Sequence, residues 1–166
     1  MSLVPDETLA LVGQEIMRTS GVAVLREGQR YAAAVRDANP LYHDDAYARR
    51  YGYRGAILPS LFLQYLVMGA YRLDELRKDG GAATGDAAGI PLPDCPRIMA
   101  GGVDWRFHLP VYDGDVVEHT RTLAGIEEKR GRSGSFVLLT SRNTYRRQDG
   151  ELIAESTSRL IARPAG

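Results

Sequence analysis

An acidic side chain and an imidazole stand close together in the sequence, on either side of a proline corner. Five residues separate Asp37 from His43, and Asn39-Pro40 lies between them. Pro40 restricts Asn39 to extended geometry, so the chain must turn there. A carboxylate and an imidazole that share one water molecule can activate that water and exchange a second proton. We therefore interpret Asp37 and His43 as a candidate proton-transfer pair for a carbonyl compound.

Each residue of this stretch also has a purely structural interpretation. Asp37 could cap local backbone groups, and His43 could simply precede a helix. Asn39 is either a group that orients Asp37 or the substrate, or a turn residue beside the proline. Tyr42 either lines the site or packs against the corner. The residue types alone leave these alternatives open.

The elements that must position this pair are predicted from periodicity and from helix-end residues. A short strand is expected at residues 22–25, and a helix at 27–36 that ends before the proline corner. A second helix is expected at 46–51, where Gly52 is a natural terminator. The proposed pair thus falls on the connection between two predicted helices.

A long apolar helix is predicted to follow. Pro59 and Ser60 are residue types that open helices, and apolar residues then recur at three- and four-residue intervals as far as Leu76. We expect this helix to run through Lys78 and to be wrapped by a sheet. Residues 79–97 are rich in Gly and Pro and are expected to form a long, flexible loop.

The second half of the chain predicts antiparallel strands. Val103, Trp105 and Phe107 alternate in a predicted strand at residues 98–109, and turn residues then bound further predicted strands at 116–126, 135–145 and 151–162. One long helix followed by such strands predicts an α+β fold, with a curved antiparallel sheet around the helix. We expect residues 1–166 to form a single domain.

Composition excludes several function classes. Lys plus Arg and Asp plus Glu number 21 each, so no global field attracts nucleic acid or an anionic membrane. The single cysteine, Cys95, cannot form an internal disulfide. No apolar run reaches the roughly 20 residues that span a bilayer. These features, and an N-terminus unlike a signal peptide, predict a soluble cytoplasmic protein.

Several strings of the sequence together resemble a known family. Residues 31–44 follow the pattern Tyr-Ala-x-Ala-x-x-Asp-x-Asn-Pro-Leu-Tyr-His-Asp, residues 48–55 follow Ala-x-x-x-Gly-Tyr-Arg-Gly, and residues 59–62 are Pro-Ser-Leu-Phe. Residues 101–115, from Gly-Gly-Val-Asp-Trp to Tyr-Asp-Gly-Asp, belong to the same set. The chain thereby resembles the MaoC-like dehydratases over about residues 10–162. The likeness is to their N-terminal-type branch, which is related to the dehydratase domain of fungal fatty acid synthase.

That resemblance implies a hotdog fold and a hydro-lyase activity. The family adds water to a 2-enoyl thioester, or removes it, on coenzyme A or acyl carrier protein, and no further cofactor or metal is expected. In this chain His43 would activate or accept water, and Asp37 would exchange the other proton. The Ser60 N–H, with that of Leu61, would hold the thioester oxygen. Further substrate-binding candidates are Asn39, Tyr42, Pro59, Phe62 and Tyr65, with Leu61, Phe62 and Tyr65 forming the acyl-chain wall.

The spacing of the pair leaves other functions open. Catalytic (R)-specific enoyl-CoA hydratases of this group carry one residue fewer between their Asp and His. The longer spacing fits the N-terminal-type branch, in which some members are active and others are silent partners of an active subunit. The alternatives are a non-catalytic acyl-binding subunit, thioester hydrolysis, or conjugate addition to an enoyl thioester.

Partners and remaining charged residues complete the expectations. Hotdog domains pair their sheets, so a homodimer is expected, with a heterodimer of two hotdog subunits as the alternative. Trp105 is expected in the core or at that interface. His108 and His119 lie on predicted strands without partners for a metal site. Five arginines could either contact a coenzyme A phosphate or simply be solvated charges. They stand at positions 49, 50, 54, 130 and 132.

Overall fold

Strands from both halves of the chain form one antiparallel sheet in the computed structural model. The structure describes residues 2–68, 74, 90–132 and 134–165. Five strands are present in these residues, in the spatial order β1-β3-β4-β5-β2. Their bounds are β1 Glu15–Val22, β2 Arg97–Phe107, β3 Val116–Gly131, β4 Gly134–Arg147 and β5 Leu152–Arg163.

The four strands predicted in the second half are confirmed. β3, β4 and β5 are consecutive antiparallel neighbours, and β2 pairs with β5 at one edge of the sheet. Buried residues recur at every second position along β4, from Val137 to Tyr145, as expected for a strand with one face on the core. The predicted α+β class with a single antiparallel hotdog sheet is therefore confirmed.

The prediction of a first strand at residues 22–25 was wrong in its position. The strand β1 ends at Val22, and Leu25 already opens the helix α2, Leu25–Ala34. β1 lies at the other edge of the sheet, beside β3. Its sequence, Glu-Ile-Met-Arg-Thr-Ser-Gly-Val, lacks alternating apolar residues because a half-buried edge strand does not need them.

Within residues 2–68, four short helices and a turn of 3-10 helix lie outside the sheet. The first, α1, spans Asp6–Leu9, and α2 is followed by the 3-10 turn Pro40–Tyr42 and by α3, Asp45–Arg50. The helix predicted after Pro59-Ser60 is α4, Phe62–Val67. Met68 has extended backbone geometry, with ψ 124°, so the described helix ends there. The rest of the predicted helix, including Gly69, Leu73 and Leu76, lies outside the described residues.

Two apolar clusters fill the space against the sheet. One contains the buried side of α4, with Phe62, Leu63 and Val67 packed on strand residues such as Val117 and Ile153. The other is built around three residues of the segment that the sequence predicts as a flexible loop: Ile90, Leu92 and Cys95. These three residues are buried, so this end of the loop belongs to the core, and residues 79–89 lie outside the described residues.

The helix α4 lies directly on the edge strand β1. A Cβ atom added at Gly21 would overlap the carbonyl oxygen of Leu66. Only glycine therefore allows this approach of helix to strand. A second close approach joins α2 to the segment before α4, where a Cβ at Gly28 would lie 3.1 Å from Cδ of Pro59. Glycines thus set the position of α4 relative to both neighbours.

We expect Gly21→Ala to lower the free energy of unfolding by about 1–3 kcal/mol, because α4 must shift to accept the methyl group. Urea denaturation followed by circular dichroism measures this change. Gly125→Ala is the matched control, because nothing lies within 4 Å of a Cβ at that strand position. An equal loss in both variants would contradict the close approach at Gly21.

Candidate functional site

The Asp37 side chain is held by a tight turn at the end of α2. Arg36 adopts a positive φ of 59°, and the Asp37 N–H returns to the Ala32 carbonyl at 2.8 Å. The Asp37 carboxylate then accepts the Asn39 N–H at 3.2 Å, and the Asn39 side-chain oxygen accepts the Leu41 N–H at 3.0 Å. Asp37 and Asn39 therefore accept backbone N–H groups in a turn, as their purely structural interpretation expects. The same contacts orient the Asp37 carboxylate.

Two tyrosines face this carboxylate. Burial raises the pKa of Tyr42, and the nearby charge of Asp37 raises it further. Burial likewise raises the pKa of Tyr31, followed by the effects of Tyr65 and Asp37. Both phenols are therefore neutral donors beside an acid. Tyr42 was a sequence candidate, whereas Tyr31 was missed because its partners come from α4 and from the turn after α2.

His43 follows the 3-10 turn and precedes α3. Its N–H donates to the Pro40 carbonyl at 3.1 Å, and its ring centroid lies 6.4 Å from that of Tyr42. The neighbouring Asp44 caps α3 by accepting the Tyr47 N–H. Both His43 and Asp37 are exposed, and no hydrogen bond or ion pair joins them within the described residues. Their action as a pair stays a prediction.

The turn before α4 presents backbone N–H groups. The Leu58 N–H donates to the Val111 carbonyl at 2.8 Å, and the Phe62 N–H donates to the Pro59 carbonyl at 2.9 Å. Between these anchors, Ser60 and Leu61 are exposed, and their N–H groups have no acceptor among the residues that the structure describes. Two adjacent N–H groups of this kind can receive a developing oxyanion.

Aromatic contacts join this turn to the end of α2. The Tyr31 ring lies 5.6 Å from that of Phe62 and 5.2 Å from that of Tyr65, between ring centroids. Phe62 is buried, whereas Tyr65 and Leu61 are exposed. Tyr31 therefore bridges the neighbourhood of Asp37 and the first turn of α4. The structure brings the predicted acid, the predicted N–H groups and the predicted acyl wall to one side of the fold.

Arg54 is engaged within the protein. Its guanidinium donates to the buried Asp115 carboxylate at 2.9 Å and lies 4.0 Å from the ring centroid of Tyr112. The other Asp115 oxygen accepts the Tyr112 N–H. The neighbouring Asp113 accepts the N–H of Leu25 at 2.8 Å, at the start of α2. The turn between β2 and β3 thereby holds both the segment before α4 and the start of α2.

A cavity of about 550 Å³ lies between the end of α4 and the sheet. Its apolar and polar lining residues come from α4, from Met68 after it and from all five strands. The polar side chains are Thr19, Gln64, His119, Arg121, Asn143, Ser156, Ser158 and Arg159, and the larger apolar ones are Met17, Val67, Met68, Val103, Trp105, Tyr145 and Leu160.

His119 is the buried titratable group of this cavity, with 2% of its surface exposed. Its Nε2 lies 3.1 Å from the Asn143 side-chain oxygen, and its Nδ1 lies 3.1 Å from the Thr19 hydroxyl. Burial lowers the pKa of His119, and the charge of Arg121 lowers it further, against the raising effect of Asn143. Burial also raises the pKa of the adjacent Tyr145 to about 12. Both rings are therefore neutral at pH 7.

His119 and Asn143 were not predicted from the sequence as site residues. The register places Thr19 opposite His119, and Arg121 opposite Asn143. Polar residues at every second position of neighbouring strands could have indicated this cluster, but only once the strand pairing was known. No group of three or more metal-ligating side chains occurs in the described ranges. Those ranges also contain no helix long and apolar enough to cross a bilayer.

The lowered pKa of His119 predicts loss of stability in mild acid. The unfolded chain takes up a proton as the pH falls through about 6.5, whereas the folded protein does so only at lower pH. Stability is therefore complete above about pH 6.5 and falls below it. Urea midpoints between pH 7.5 and pH 5 measure this. We expect the pH dependence of the urea midpoint to weaken in His119→Gln and to persist in His108→Gln. An unchanged pH dependence in His119→Gln would contradict the role of His119.

Removal of the buried charge at position 115 tests the junction around Arg54. We expect Asp115→Asn to lower the free energy of unfolding by about 1–3 kcal/mol, because a charge-assisted hydrogen bond and an ion pair are lost at a buried carboxylate. Denaturation with urea measures the effect. Asp94→Asn changes an exposed carboxylate and is the control. Equal midpoints for the two variants would show that the junction contributes nothing.

Comparisons with known proteins assign the family. The FAS1-like dehydratase domain region matches residues 10–156 of this chain. A UPF0336 protein of Parafrankia sp. is 32% identical over 135 residues, which cover 81% of this chain and 80% of that protein. A probable enoyl-CoA hydratase alpha subunit of Thermomonospora curvata is 25% identical over 135 residues. That match covers 80% of this chain and 42% of the relative, which is therefore a longer protein.

A solved structure agrees with the fold. A chain of the ChsH1-ChsH2 complex from Mycobacterium tuberculosis superposes with a TM-score of 0.79, at 21% identity, over 96% of both chains. The sheet order, the short helices and the family match point to the same architecture. The chain belongs to the FAS1-like dehydratase family and has the hotdog fold of the MaoC-like dehydratases.

Proposed function

We propose that this protein is a hydro-lyase that adds water to, or removes it from, a 2-enoyl thioester carried on coenzyme A or acyl carrier protein. The observation that carries the proposal is the position of Asp37. Its carboxylate is fixed by the turn after α2, and Tyr31 connects it with the turn that presents the Ser60 N–H. An acid and a pair of N–H groups are the parts that hydration of a conjugated thioester requires.

The chemistry divides between the two ends of the conjugated system. His43 removes a proton from water as its oxygen bonds to the β-carbon. Negative charge then develops on the thioester oxygen, which the N–H groups of Ser60 and Leu61 hold. The carboxyl group of Asp37 gives its proton to the α-carbon, with Asn39 and Tyr42 fixing its position, and the proton that His43 took from water then replaces it. Dehydration follows the same steps in reverse, and the carrier of the acyl group is the only cofactor needed.

The acyl chain is proposed to follow α4 from its start to its end. Leu61 and Tyr65 are exposed beside the predicted oxyanion site, and Phe62 with Pro59 closes the wall behind them. Further along the helix, Val67 lines the cavity on the sheet. This path leads the chain away from the reacting atoms into the cavity on the sheet. Such separation leaves the thioester at the rim, where a large carrier has room.

A second candidate function is acyl binding without catalysis. Asp37 and His43 make no direct contact, whereas α4 and the sheet of this chain line a cavity of about 550 Å³. The relative from Thermomonospora curvata is named as an alpha subunit, and the Mycobacterium tuberculosis structure is a complex of two proteins. In that case the chain holds the acyl group, and a second hotdog subunit supplies the proton-transfer residues.

Pairing of two hotdog domains is proposed for either function. The strand β2 lies at an edge of the sheet, and its Val103 and Phe107 side chains are 51% and 43% exposed. Trp105 is stacked on Phe107 with 5.3 Å between ring centroids. An edge strand with exposed apolar side chains is normally covered by another chain. We propose a homodimer, with a heterodimer as the alternative, in the cytoplasm.

Hydration of crotonyl-CoA by the purified protein tests the proposed catalysis. We expect Asp37→Asn and His43→Ala each to reduce the rate by about 10²- to 10⁴-fold, because each removes one proton-transfer group. Loss of the enoyl absorbance measures the reaction. Asp94→Asn and His108→Ala are matched controls at exposed positions.

Different outcomes select between the candidate functions. Full activity in both Asp37→Asn and His43→Ala would eliminate the proposed mechanism. Activity that appears only after a second hotdog subunit is added would favour the acyl-binding function. Release of free thiol would identify thioester hydrolysis, and consumption of an added amine would identify conjugate addition.

A further inference from the structure

The polar side chains of the cavity form one connected hydrogen-bond network. Asn143 is its centre and is 3% exposed. Its side-chain oxygen lies 3.1 Å from His119 Nε2 and accepts from Arg121 Nε at 3.0 Å. Its amide nitrogen donates to the hydroxyls of Ser156 and Ser158, each at 3.2 Å. All four hydrogen-bonding positions of this amide are therefore used.

The network fixes the direction of each remaining hydrogen bond. Because the Asn143 oxygen is an acceptor, His119 donates to it from Nε2, and Nδ1 of the neutral ring accepts from the Thr19 hydroxyl. Ser158 accepts from Asn143 and keeps its own hydroxyl hydrogen as a donor. The network thus presents an oriented hydroxyl donor at the wall of the cavity.

As part of a core alone, this hydrogen-bond network would stabilise the fold no better than apolar side chains. The neighbouring cavity walls, Val67, Trp105 and Leu160, are apolar. A buried polar network requires every member to be satisfied, and apolar side chains of similar volume generally stabilise a core at least as well. Each of β1, β3, β4 and β5 contributes a polar side chain to the same place. A ligand with a polar atom gives this placement a function.

We infer that the cavity binds an acyl group that carries a hydrogen-bond-accepting oxygen far from the thioester, received by Ser158 and the network around Asn143. The inference rests on the proposed function, since it assigns the far end of the same acyl chain. The six residues of α4 span about 9 Å from the thioester turn to Val67, which lines the cavity together with Gln64 one turn earlier. A hydroxyl, a ketone or a carboxylate at that distance would each supply the oxygen.

Binding can be measured without catalysis. Trp105 lines the cavity and is the single tryptophan of the chain, so its fluorescence reports occupancy. The probes are saturated acyl-CoA thioesters of six, eight and ten carbons, which cannot be hydrated. Each is compared with counterparts bearing a terminal hydroxyl, a ketone at the penultimate carbon or a terminal carboxylate. We expect one oxygenated series to bind about 5- to 10-fold more tightly than the plain series at its best length.

The variants remove single hydroxyls of the network. We expect Ser158→Ala to abolish the preference for the oxygenated probe, and Thr19→Val to reduce it, while binding of the plain acyl-CoA changes little. Thr120→Val is the matched control, because Thr120 neighbours His119 on the same strand but hydrogen-bonds to Thr144, at 2.6 Å. Urea midpoints confirm that each variant is folded.

Two results would overturn the inference. One is equal binding of plain and oxygenated probes at every length, and the other is a preference that survives in both Ser158→Ala and Thr19→Val. Failure of the proposed catalysis gives a different result, because binding and hydration are measured separately. A protein that does not hydrate crotonyl-CoA but still prefers an oxygenated probe retains the inferred site and loses only the hydratase role.

Discussion

The ion pair between Arg54 and the buried Asp115 holds the two halves of the candidate site together. Asp115 lies on the turn between β2 and β3, and Arg54 lies in the segment that leads from α3 to α4. The same turn accepts the first N–H of α2 through Asp113. One short turn of the sheet thus positions the helix before Asp37 and the segment before Ser60. The sequence motifs that resemble the family lie on both sides of this junction: residues 31–62 on one side and residues 101–115 on the other.

Much of the fold could be predicted from local patterns. The strands β2 to β5 are segments of strand-forming residues bounded by turn residues, and Val103, Trp105 and Phe107 of β2 alternate with polar residues. The strand β1 could not be found in this way, because its sequence does not alternate and its partner strand, β3, is distant in the sequence. The early end of the helix α4 at Met68 was equally hidden, since the apolar periodicity continues beyond that residue.

The candidate site divides in the same manner. The turn that holds Asp37 is local, and Asn39 with Pro40 is sufficient to predict it. The contact of Tyr31 with Phe62 depends on how two helices pack, which no spacing in the sequence gives. His119 and Asn143 are 24 residues apart and meet only through strand register. Contacts between residues on neighbouring strands therefore cannot be predicted until the strand pairing is known.

The placement of the two functional regions has a consequence for how such a protein can diversify. Asp37 and His43 lie on one short, continuous piece of chain outside the sheet, whereas the polar cavity wall is spread over four strands. Substitutions in separate, non-contacting regions act additively. Under the proposed function, side chains on the sheet can therefore change the preferred acyl group while the candidate proton-transfer residues at the rim stay the same.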